Sequence, residues 1–114
     1  MRSVNKVTLV GNIGTAVEMR HTGAGTAVTN LQLATNSRKD DDGNERVDWH
    51  RLVFFGNKAL LAEQFINKGD RIYVEGRIQY SSYEKVMDSG EIVNWPTTDI
   101  WVNEVVFLSP KKQD

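Results

Sequence analysis

The chain has 114 residues, 39% of them hydrophobic and 25% charged, with a net charge of −1 and no cysteine. That length suits one domain around a single core, and the missing thiols exclude disulfides and thiolate metal sites. A near-neutral total argues against nucleic-acid binding by bulk charge alone, and the apolar runs are too short to cross a bilayer. The charge is unevenly spread, however. Residues 1–39 carry Arg2, Lys6, Arg20, Arg38 and Lys39 against Glu18 alone. Asp40, Asp41, Asp42, Glu45 and Asp48 then follow, relieved only by Arg46. The N-terminal MRSVNKVTLVGN has neither a signal-peptide apolar run nor the acid-free, Arg- and Ser-rich character of a transit peptide, so an internal, cytoplasmic protein is expected.

No repeat or low-complexity segment is present. Short β-type stretches alternate with turn clusters, the pattern of a small barrel or sandwich. VNKVTLVGNI (4–13) sets Val7 and Leu9 opposite Lys6, Thr8 and Val10, with Gly11 and Gly14 at bends or bulges. TGAGT (22–26) reads as a turn. AVTNLQLATN (27–36) puts Leu31 and Leu33 on one face, Asn30 and Gln32 on the other. KDDDGNE (39–45) is a polar loop leading to a third strand over 46–55. NKALLAEQFINKG (57–69) carries Leu60, Leu61, Phe65 and Ile66 at helical spacing, with Asn57 suited to the N-cap and Gly69 to the stop.

A fourth strand spans 70–80, with Ile72, Val74, Ile78 and Tyr80 facing one way and Arg71, Tyr73, Arg77 and Gln79 the other. Residues 81–97, containing SG and WP, read as a hairpin loop, and 98–108 as the last strand. The expected domain covers residues 1–110, with 111–114 a frayed end. Three strands, a helix and two strands is the element order of an all-β OB-fold, a five-stranded Greek-key barrel with one short helix between strands three and four. Such barrels carry ligands on strands two and three and on their connecting loops.

The third strand contains WHRLVFFG (49–56). Alternation places Trp49, Arg51, Val53 and Phe55 on one face and His50, Leu52 and Phe54 on the other. Both faces carry large apolar groups, and one of them also carries an arginine. Periodicity alone leaves three readings: Trp49 and Phe55 are core, or they cover a subunit interface, or they stack on unpaired bases while Arg51 meets phosphate. Leu52 and Phe54 already supply an inner face, so the outer set has something else to cover. Tyr83 has the parity of Arg77 and Gln79 and would extend the platform if the strand runs on. A titration would then quench Trp49 and leave Trp95 and Trp101 bright.

Other motifs fail on inspection. In DDDGNE, counted from Asp40, the glycine a calcium loop needs at position six is Arg46, and the acid needed at twelve is Arg51. GAG (23–25) is followed by no lysine or helix and is a turn. His50 and His21 without a thiol make a poor metal site. No nucleophile elbow or carboxylate pair marks an enzyme.

WHRLVFFG, the amphipathic helix after it and KGDRIYVEGRI resemble the bacterial single-stranded DNA-binding protein family, as do VNKVTLVGNIG and LATN earlier in the chain. The mitochondrial members are similar too, and the likeness runs from Val4 to Leu108. The resemblance implies a homotetramer of OB-folds that holds single-stranded DNA without sequence preference in replication, recombination and repair, with no catalysis and no cofactor. Carried onto matching positions, it makes Trp49 and Phe55 base-stacking residues, with Tyr83 where relatives often have another aromatic. It makes Arg51, Arg20 and Lys6 basic positions near the DNA path, a role that Arg77 shares by parity with Tyr83. It also implies that His50 and Tyr73 are subunit contacts.

Two departures stand out. A stacking Trp that follows LAT in many relatives is missing, with Lys39 nearest. Relatives also continue through a Gly/Pro/Gln-rich tail to an acidic tip, whereas this sequence ends at PKKQD; recruitment of replication and repair proteins is expected only where such a tail exists. A bacterial, nucleoid-associated location is expected, with mitochondrial or phage origin open. Two other readings remain: a protein-interaction module, similar to the primosomal replication protein related to this family, and a metal-dependent nuclease.

Overall fold

The structure, a computed structural model, describes residues 2–15 and 17–109. Its elements are β1 (Val7–Ile13), β2 (Glu18–His21), β3 (Ala27–Asn36), β4 (Val47–Phe55), α1 (Asn57–Phe65), β5 (Arg71–Val86) and β6 (Ile92–Phe107). β2 is absent from the sequence reading. It lies end to end with β1 along β3: Asn12 and Ile13 face Ala34 and Leu33, then Glu18 to His21 face Asn30 to Ala27. Together β1 and β2 form one bent strand, the first of the five expected. The bend has a purpose, because the body of β1 runs antiparallel with β5 while its end reaches β3. The order β1–β5–β6–β4–β3 thus returns to β1 and closes a ring, with β4 and β6 parallel.

Alternation decides what fills the ring. Leu31 and Leu33 of β3, Leu52 and Phe54 of β4, and Ile72 and Val74 of β5 are fully buried there. Each such side chain contributes roughly 1.5–3 kcal/mol through removal from water.

α1 closes one end of the ring, but not with the residues expected. Ala59, Ala62 and Ile66 face the core, while Leu60, Leu61 and Phe65 are exposed. The small side chains let the helix sit close enough for the Thr29 hydroxyl to donate to the Ala59 carbonyl at 3.1 Å inside the protein. Gly56, with φ 63°, turns the chain from strand into helix and occupies the N-cap in place of Asn57. The helix also stops four residues short of Gly69. Ile66 turns extended, with φ −96° and ψ 131°, and drops into the core.

The largest correction concerns residues 81–97. They are not a loop: β5 and β6 stay paired from Ile72↔Phe107 to Val86↔Ile92, and only Met87–Glu91 turns. The result is a two-stranded arm projecting beyond the ring. Both of its faces are exposed along most of its length, so no buried stripe marks it as strand. Pro96 is tolerated within β6 because strand pairing in a two-stranded arm leaves every second N–H without a required partner. PKKQD lies outside the described residues.

Candidate nucleic-acid interface

The two faces of β4 part sharply. Trp49 is 56% exposed and Phe55 37%, whereas Leu52 and Phe54 are 0%. Residues directly paired across strands share a face. Arg51 therefore lies beside Gln32, Val53 beside Asn30, and Phe55 beside Val28. Across the parallel junction Val53 pairs with Trp101, which in turn pairs with Arg77. The same face continues up the arm through Asp99 and Gln79, Thr97 and Ser81, then Trp95 and Tyr83. One outer surface thus runs from β2 across β3, β4 and β6 to β5.

On that surface rings and cations alternate. Phe55 meets Trp101 edge to face, with centroids 4.9 Å apart at 66°. The Arg77 guanidinium sits 5.1 Å from the Trp101 ring centre, and Lys85 Nζ 4.7 Å from that of Trp95. Trp49 lies over Gly14, where an added Cβ would come within 2.1 Å of the indole; the ring occupies the space of the missing side chain. Two clefts score the surface. One of about 510 Å³ runs between Glu18, Arg20, Asn30, Gln32 and Arg51. The other, about 440 Å³, lies between Arg20, Asn30, Arg51, Phe55, Asp99 and Trp101.

The structure brings Trp49, Phe55, Tyr83, Arg51, Arg20 and Arg77 onto this one surface. Arg51 arrives with a partner: its Nε stands 3.3 Å from Asp99 Oδ1. Lys6 lies elsewhere. Its Nζ is 3.5 Å from Glu75, on the β1–β5 side, and it lines neither cleft. Tyr73 shares that side and donates its hydroxyl to Glu75 at 2.5 Å. This hydrogen bond holds the Glu75 carboxyl below its ordinary range and, with the charge beside it, pushes the Tyr73 phenol up. His50 has the parity of Leu52 but sits near the end of the strand, half-buried, with Nε2 2.8 Å from the Thr35 hydroxyl.

Sequence reasoning set Trp101 and Trp95 aside, yet both belong to the surface. For Trp101 the signal was available: Ile100 and Val102 alternate with Asp99 and Trp101. Trp95 was masked by its place before Pro96. Among the described residues no cluster of three or more His, Asp or Glu could hold a metal ion, and no helix is long and apolar enough to cross a membrane.

Residues 4–108 match the model of the "Single-strand binding protein family". The chain belongs to that family. It is 44% identical over 110 residues to a single-stranded DNA-binding protein of Xanthomonas axonopodis pv. citri, covering 94% of this chain and 59% of the relative. It is 43% identical over 86 residues to single-stranded DNA-binding protein 1 of Chlorobaculum tepidum, covering 73% of this chain and 53% of that one. The chain therefore spans little more than half the length of these relatives. Among solved structures, Plasmodium falciparum SSB in complex with single-stranded DNA aligns with a TM-score of 0.80 at 27% identity, covering 96% of this chain and 98% of that one. That likeness carries the OB-fold architecture to the ring described above.

Proposed function

We propose that this chain binds single-stranded DNA without an overall sequence requirement, by stacking bases on the outer rings and drawing phosphates to the cations between them. The observation that carries this reading is the exposure of Trp49 and Phe55 on a face whose opposite side is fully buried. A ring held outside a complete core has lost no packing role and is free to stack, and each stacked base contributes roughly 1–3 kcal/mol. Arg20 and Arg77 supply charge next to the rings. The single-stranded DNA-binding relatives and the DNA held by the neighbouring Plasmodium falciparum structure support the same ligand.

The role is binding, not catalysis, and belongs to replication, recombination and repair in a bacterial cytoplasm. The protein works as a homotetramer. Val10, Tyr73 and Val106 lie side by side in register on the outer face of β1, β5 and β6, with Val10 and Val106 exposed. That apolar row supports subunit contact on the side away from the stacking rings, with His50 as a second candidate.

Titration with oligo-dT, followed by tryptophan fluorescence, tests the reading. Three tryptophans are present, and all three share the proposed surface, so quenching should exceed the share of Trp49 alone. Affinity should fall with salt by a log–log slope of roughly 0.7 per phosphate neutralised. No binding at low salt would refute the proposal, and native mass measurement of the same samples gives subunit and DNA stoichiometry.

A further inference from the structure

Two buried side-chain oxygens lack a hydrogen-bond donor among the described residues, Asn30 Oδ1 and Asp99 Oδ1. They come from different strands, yet both residues line one cleft, whose lining also includes Phe55 and Trp101. Asp99 is only 9% exposed. Arg51 Nε balances its charge from 3.3 Å, but the contact lacks the alignment of a hydrogen bond. A buried acceptor left without a donor is strongly disfavoured, so native proteins rarely keep one without a role. Here both residues line one cleft beside the edge-to-face pair of Phe55 and Trp101.

We propose that this cleft takes a nucleobase bearing an exocyclic amino group, and that Asp99 and Asn30 read that group. The inference rests on the proposed single-strand binding and adds a base preference at one station of it. The base lies beside the edge-to-face pair of Phe55 and Trp101, with its amino edge toward the two oxygens. Cytosine presents N4–H donors there, whereas thymine presents the O4 acceptor, whose lone pairs face a carboxylate. Arg51, 47% exposed in its side chain, is the movable cover. When its guanidinium turns out to a phosphate, the amino group replaces it at Asp99 Oδ1. Cytosine thus satisfies the acceptor that Arg51 leaves, and thymine does not.

Competition decides it. Oligo-dC and oligo-dT of equal length each displace a fluorescent mixed-sequence oligonucleotide from the full chain, at mildly alkaline pH and one fixed salt concentration. Asp99→Leu should lower the dC-to-dT affinity ratio about tenfold, within the range for one base-edge contact. Asn30→Leu, on another strand, should lower it in the same direction and keeps the test open if the first variant does not fold. A ratio unchanged in the folded variants overturns the proposal, whether both affinities fall together, which would leave Asp99 merely holding Arg51, or neither moves. Failure of the wild-type chain to bind either oligonucleotide at low salt would instead remove the single-strand reading on which this one stands.

Discussion

The inner and outer faces of β4 are made of the same kinds of residue and do opposite work. Phe54 and Leu52 face a closed ring and have no exposure; Trp49, three residues before Leu52, and Phe55, next to Phe54, stay accessible. The difference does not lie in hydrophobicity. It lies in which side of the sheet the ring closes around. An aromatic on the inside stabilises the fold, and an aromatic on the outside is left accessible.

Exchanging the two roles by mutation gives the largest effect. Phe54→Ala should destabilise the protein by about 3–5 kcal/mol in denaturant unfolding, with DNA affinity little changed while the chain is folded. Trp49→Ala should do the reverse, leaving the unfolding midpoint close to wild type and weakening oligo-dT binding by about 1–3 kcal/mol. A Trp49→Ala chain that loses stability and keeps its affinity would erase the distinction between the faces.

A subtler change sharpens it. Gly14 has no positive φ, so alanine fits its backbone, yet the new Cβ would meet the Trp49 ring. Gly14→Ala should therefore displace the indole and weaken DNA binding by part of what Trp49→Ala costs. In a Trp49→Ala background the same change should have almost no effect. Additive losses in that double-mutant cycle would show that Gly14 acts by another route.

The smallest expected effect lies on the β1–β5 side, away from the rings. Glu75 titrates below its ordinary value of 4.5 because Tyr73 donates to it. The stability this linkage provides is present above that value and lost as pH falls through the lowered folded value. The Tyr73 phenol, pushed above 10.0, keeps its share below that pH and loses it as pH rises through the raised folded value. Melting curves of wild type and Tyr73→Phe should thus differ most between these limits and converge in acid. A gap that stays constant into acid would mean the tyrosine acts through packing alone.

The succession of the main strands along the chain, the helix after β4 and the parity of Trp49, Arg51 and Phe55 were all legible, because a buried stripe repeats every second residue wherever one face is covered. The arm was not legible. Beyond the ring neither face is covered, the apolar period disappears, and residues 81–97 imitate a loop. The helix misled for a related reason. Leucine and phenylalanine are the natural candidates for burial, but a helix plugging a narrow ring end must approach closely, and Ala59 and Ala62 permit that. That Arg51 has an acidic neighbour was likewise hidden until the parallel β4–β6 junction set Asp99 beside it.

Local alternation, glycine placement and charge order therefore determined the element sequence, the family resemblance and the two faces of β4. Tertiary closure decided the rest: which tryptophans join Trp49, which cation is already paired, and where two acceptors lie buried without donors. Periodicity is a property of neighbours along a chain, and a strand's own residues can encode it. Contact between β3, β4 and β6 depends on which strands the ring brings together, and residues far apart in sequence encode that only jointly.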